Sequence, residues 1–155
     1  YLLRLGLSLS ATGDLAGGRA MLERSRAAGG DSVYATSVLA ETAAGEKDWV
    51  RAAAEARRAL RGVRPTIAAP FPQALQNAVR KLAIEAPPEV GAPVLEEAVR
   101  RRPSWDMAYH GGAQVNVRWG GEHCGRAAQL ADELTRFGWT QSEIVALLRP
   151  CRAGR

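Results

Sequence analysis

Glycine and proline interrupt this chain at short, regular intervals, and that spacing limits what it can build. Gly13-Asp14, Gly29-Gly30, Gly45, Gly62 with Pro65, Pro87-Pro88, Pro103, Gly120-Gly121, Gly138 and Pro150 each end a segment. The segments between are rich in Ala, Leu, Arg and Glu, which favour helix, and poor in the β-branched residues that favour strand. The pattern predicts helices over 2–12, 15–28, 33–44, 48–61, 73–85, 92–102, 105–116, 121–137 and 141–148. Asp31-Ser32 and Ser104 stand where N-caps belong, and Thr140 with Glu143 forms a capping box. Pro93 is expected to delay its helix until about residue 92. One window competes: Leu3, Leu5, Leu7 and Leu9 alternate with Arg4, Gly6, Ser8 and Ser10, as in a strand. Helix is preferred there, because no other window offers a partner strand.

The chain of 155 residues suits one domain with a real core. Its 21 basic residues against 16 acidic ones give a net charge of +5. The acids are interspersed among the bases, and the densest cluster, Arg100-Arg101-Arg102, falls at a helix end, where cations suit the macrodipole. Nucleic acid is therefore the less favoured partner. The apolar opening stretch holds Arg4 and is far too short to span a membrane. A cytosolic location is preferred, with export left open because the chain begins at Tyr1. Cys124 and Cys151 are too few for a disulfide scaffold. They pair if the last segment folds back onto the helix carrying Cys124, and a bridge would point to export.

An internal offset organises the first half. Asp14-Leu15 and Asp48-Trp49 are 34 residues apart (48 − 14), and the same offset matches Leu5 to Leu39, Gly6 to Ala40, Gly18 to Ala52 and Ser25 to Ala59. The small residues let paired helices approach, while Leu5, Leu39, Leu15 and Trp49 are expected to fill the space around them. With this period, residues 1–64 resemble two degenerate tetratricopeptide repeats, and 73–149 two irregular helix pairs plus a C-terminal helix after a Pro-rich linker, 65–72. Leu9 and Ala43 stand where such repeats usually carry Tyr. In the second half, Tyr109 and Arg118-Trp119-Gly120-Gly121, followed by an acidic residue and an amphipathic helix, resemble an uncharacterised bacterial domain family with an Arg-Trp-Gly-Gly signature, over about 105–137. That resemblance implies tetratricopeptide-like helices and no known activity.

Residues 116–126, Asn-Val-Arg-Trp-Gly-Gly-Glu-His-Cys-Gly-Arg, concentrate the chemistry-bearing side chains. Gly120-Gly121 before a helix, with Arg118 and Arg126 nearby, has the makings of an anion site. Glu122 opposes that, and a tight interhelical turn anchored by Trp119 is the preferred reading. His110, His123, Cys124 and Cys151 lack zinc spacing, and adjacent His123 and Cys124 diverge on a helix. Cys124 is expected as a buried core thiol and His123 on the surface. No metal, cofactor or catalytic constellation is expected. Glu97 with Arg101 and Asp132 with Arg136 have the spacing of exposed i,i+4 ion pairs.

The overall expectation is an all-α, right-handed stack of antiparallel helix hairpins, a tetratricopeptide-like α-solenoid. Its concave face would be built from residues 2–12, 33–44, 73–85 and 105–116. The leading function is a non-enzymatic interaction module that holds a protein or peptide there, with Trp105, Tyr109, Arg118 and Trp119 as candidate anchors. The alternatives are a small enzyme or ligand-binding domain using residues 110–126, and a basic nucleic-acid-binding surface.

Overall fold

The computed structural model describes residues 1–29, 32–63 and 71–153. Among them every regular element is helical: α1 Leu2–Ala11, α2 Leu15–Ala27, α3 Val33–Gly45, α4 Trp49–Gly62, α5 Gln73–Ile84, α6 Pro88–Arg101, α7 Asp106–Trp119, α8 His123–Glu133, α9 Gln141–Leu147 and α10 Arg149–Ala153. A 3-10 turn, Leu134–Phe137, extends α8. None of the described helices is long and apolar enough to cross a membrane. The chain forms two compact units, Tyr1–Ala78 and Val79–Arg155, which divide within α5.

In the first unit α1 packs on α2 and α3 on α4. The alternating leucines are helical, and Leu3 and Leu7 pack against a core of Leu22, Ala35 and Leu39. Gly6 and Gly18 hold α1 and α2 close. A Cβ on Gly6 would come within 2.7 Å of Leu22 Cγ, and one on Gly18 within 2.8 Å of the Ser10 nitrogen. At the 34-residue offset Ala40 and Ala52 are both fully buried. Asp14 and Asp48 each cap the following helix, accepting from Gly17 N–H at 2.9 Å and Arg51 N–H at 3.2 Å. Leu15 departs from expectation: it lies 40% exposed, while Trp49 is half-buried. Ser32 caps α3 through the N–H groups of Tyr34 and Ala35. Its expected companion Asp31, and the linker through Pro70, lie outside the described residues.

Ion pairs tie α2 to the helices and turns that follow it. Arg26 donates to both carboxylate oxygens of Glu55 at 2.8 Å, Arg19 meets Glu46 at 2.6 Å, and Arg51 pairs with Glu23.

The second unit is built around α7. Two mid-helix glycines bring neighbours close to it, which offsets their cost of about 1 kcal/mol each relative to Ala. A Cβ on Gly111 would come within 2.9 Å of Leu95 Cδ1 and 3.1 Å of Ala83 Cβ; one on Gly112 would reach Leu130 Cδ1 at 2.9 Å. On the other side, Tyr109, Ala113, Leu130, Leu134, Ile144 and Leu148 form a shared core, flanked by Phe137 and Trp139.

Several boundaries differ from expectation; α7 runs on to Trp119, past the expected end at 116, and the position before it is Trp105 rather than the expected cap Ser104. The sixth helix begins at Pro88 and runs through Pro93. Pro88 occupies the first turn, where an N–H has no helical partner anyway. The Pro93 ring faces solvent, and its one missing hydrogen bond is offset by burying Ala92, Val94, Leu95 and Ala98. Residues 134–137 tighten to 3-10 geometry rather than continuing α8, and Gly138 ends them at φ 88°. Pro150 sits in the first turn of a short extra helix, α10, instead of following the last one.

Candidate functional site

The double glycine is a turn between helices. α7 ends at Trp119, Gly120 and Gly121 take left-handed φ values of 75° and 55°, and α8 starts at His123. Non-glycine residues rarely tolerate two such values in succession. The cations that would assist an anion at this turn are committed elsewhere. Arg118 donates to the Ala83 and Ala86 carbonyl oxygens, both at 2.8 Å. It thereby satisfies acceptors at and just past the C-terminal end of α5, where carbonyls lack helical donors. Arg126 grips both oxygens of Glu96 at 2.7 and 2.6 Å, and the bond to Glu96 raises its pKa.

Cys124 is not a buried thiol. It is half-buried and bonded to Cys151, with 5.6 Å between the Cα atoms. The last segment folds back far enough to bridge because α10 continues past Pro150 and contacts α7. Among the described residues there is no free cysteine, and no group of three or more His, Cys, Asp or Glu is placed to hold a metal. The bridge lines a depression of about 430 Å³ with Val117, Gly120, Gly121, Gly125 and Pro150, a wall without a titratable side chain. The two histidines serve different aromatics. His123 stacks on Trp119, ring centroids 3.7 Å apart, while His110 lies 4.7 Å from Trp139.

The four candidate anchors are placed differently from one another. Tyr109 is 5% exposed, within the core; its ring is 5.6 Å from Phe137, and its hydroxyl accepts from Arg136 at 3.3 Å. Trp105 is half-buried at the position preceding α7. Arg118 is held by the two carbonyls. Trp119 keeps 39% of its surface exposed. Of the expected ion pairs, Glu97–Arg101 forms at 3.1 Å, but Glu97 is buried rather than on an exposed face. Arg136 pairs with Glu133 at 2.7 Å instead of Asp132, one residue nearer in the helix.

A smaller cavity, but one that carries polar side chains, lies between α5, α6 and α7. Val79, Arg80, Ala83, Ile84, Leu95, Met107, His110, Gly111 and Gln114 line a cavity of about 280 Å³. Its walls are mostly apolar, with three polar side chains converging. Burial lowers the His110 pKa from its ordinary 6.5, an effect that Asp106 opposes and Arg80 reinforces. Sequence reasoning singled out His110, for metals, and passed over Arg80 and Gln114. The available signal was spacing: His110 and Gln114 are i,i+4, hence on one face of α7, as Arg80 and Ala83 are i,i+3 on α5.

Comparison with models of known families, with curated proteins and with solved structures finds no match for this chain. Both resemblances therefore rest on the quoted residues alone.

Proposed function

We propose that this chain is a helical-repeat interaction module, its helix pairs stacked with a right-handed turn in the manner of tetratricopeptide proteins, that binds a protein or peptide segment. The observation that carries the reading is the cavity between α5, α6 and α7. Those two outer helices, α5 and α7, are first members of successive pairs, the position that lines the concave face of such stacks. Ligand sites are concave, mostly apolar and carry a few convergent polar groups. At about 280 Å³ the cavity suits one bulky side chain of a longer segment. Nucleic acid is the weaker candidate, because Arg19, Arg26, Arg51, Arg101, Arg126 and Arg136 are already paired with carboxylates. The Cys124–Cys151 bridge favours a protein that works in an oxidising compartment over the cytosolic location preferred from sequence.

The test is a displayed peptide library selected on the protein, followed by affinity measurement on a Gln114→Trp variant that plugs the cavity. Selected peptides are expected to lose at least roughly tenfold in affinity when the indole removes their anchoring pocket, a loss of about 1.4 kcal/mol. Circular dichroism should show an unchanged helical spectrum. Equal binding to both proteins would overturn the reading.

A further inference from the structure

The polar side chains of this cavity are not tied up in hydrogen bonds. Among the described residues Arg80, His110 and Gln114 make no hydrogen bond within the protein, although all three line one cavity. Other arginines near the helix seams are engaged, Arg26 by Glu55, Arg118 by two carbonyls and Arg126 by Glu96, whereas Arg80 faces the cavity. A guanidinium is a fixed fork of donors suited to carboxylates. Beside it, Val79, Ala83 and Leu95 are buried, and Ile84 and Met107 offer further apolar surface.

From this juxtaposition we infer that the site takes an acidic peptide segment. A bulky apolar side chain enters the cavity, and a neighbouring Asp or Glu side chain reaches Arg80. This rests on the binding reading above and adds the chemistry of the partner. Burial disfavours the charged imidazole, so Arg80 is the main positive group among the lining residues. His110 and Gln114 are then placed to bond the segment's main chain or amide groups. Asp106 fixes the direction. It is exposed in the first turn of α7, within electrostatic reach of His110, and repels acid at that end. The carboxylate therefore approaches from the α5 side. The chain's net charge of +5 draws an acidic segment in at longer range.

The experiment uses the whole chain and fluorescein-labelled peptides with a central Phe or Leu flanked by Glu, Gln or Lys, read by anisotropy. The Glu set is expected to bind tightest. Arg80→Gln should weaken the Glu set about tenfold while leaving the Gln set unchanged, the size of one rim charge-assisted contact. Arg80→Glu should transfer the preference to the Lys set. If Glu and Gln peptides bind alike and Gln114→Trp abolishes both, the acidic partner is overturned and the groove reading stands. If no peptide binds, or plugging changes nothing, both fall. If a chain-terminal carboxylate is needed and internal Glu is not, the assignment to an internal acidic side chain is overturned. Arg80 is exposed on α5, so its variants are expected to fold, and their helical spectra provide the control.

Discussion

The two units are both helical, yet they are held together by different chemistry. In Tyr1–Ala78 most cross-helix polar links are ion pairs, Arg26–Glu55, Arg19–Glu46 and Arg51–Glu23, beside a hydrogen bond from Asn77 to Glu41. Around them the interior is largely alanine, with Ala40, Ala43, Ala44, Ala52, Ala56 and Ala59 buried. In Val79–Arg155 one cross-helix ion pair, Arg126–Glu96, is joined by a disulfide, a guanidinium on two carbonyls and an aromatic cluster of Tyr109, Phe137 and Trp139. The difference follows from helix length and packing. Long helices with small residues approach closely along their length, and charged stems can then reach across the pair. Short terminal helices such as α9 and α10 bury too little to hold themselves in place, so a covalent link and large side chains substitute. The first unit should therefore answer to salt, and the second to reductant and acid.

The largest effect is expected from the bridge. Cys124 and Cys151 close a loop across a sequence separation of 27. The chain-entropy estimate for such a loop is about 3.5 kcal/mol. Reduction, or the pair Cys124→Ser and Cys151→Ser, should lower unfolding free energy by roughly that amount in denaturant titrations. Hydrogen exchange should accelerate in α8, α9 and α10 and leave α1 to α4 protected. An equal acceleration in α1 to α4 would erase the distinction between the units.

The next effect tests the charged seam of the first unit. A double-mutant cycle of Arg26→Met and Glu55→Gln should give a coupling of about 1 kcal/mol, because the pair is partly buried and doubly bonded. The more exposed Arg19–Glu46 pair should couple less and vanish in concentrated salt. If Arg19–Glu46 coupled as strongly as Arg26–Glu55, burial would not be what sets these strengths.

This contrast was only half legible in the sequence. Helix ends were readable where glycine takes a positive φ that a helix cannot continue, as at Gly13, Gly29 and Gly138. The double-glycine turn at Gly120 and Gly121 was readable for the same reason. Pro93 and Pro150 misled because their cost depends on which side faces solvent and how early in the helix they fall, and packing decides both. The bridge stayed open because two cysteines 27 residues apart in sequence carry no record of whether α10 returns to α8. The proposed site was harder still. His110 and Gln114 share a face of α7, but the cavity needs Arg80 from α5 and Leu95 from α6 as well. The close approaches permitted at Gly91 and Gly111 bring those three helices together.

The smallest effect concerns acid, and it belongs to the second unit, which holds both histidines. The His110 pKa is lowered on folding, chiefly by burial. The unfolded chain then binds the proton more readily than the folded one. The stabilising contribution is complete above the unfolded value near 6.5, and it is lost as pH falls from there through the folded value. Wild type should lose stability between neutral pH and about pH 5, in the range where an unperturbed imidazole titrates. A His110→Gln variant should lose less over the same interval, measured as denaturant midpoints at each pH. The same proton, once bound, places a second positive charge beside Arg80 in the cavity. Acidic peptides should therefore bind more tightly to wild type as pH falls below 6.5, until their own carboxylates protonate, and the variant should lack the gain. A variant that tracks wild type in both measurements would remove His110 from the cavity's electrostatics and leave Arg80 as its only charged determinant.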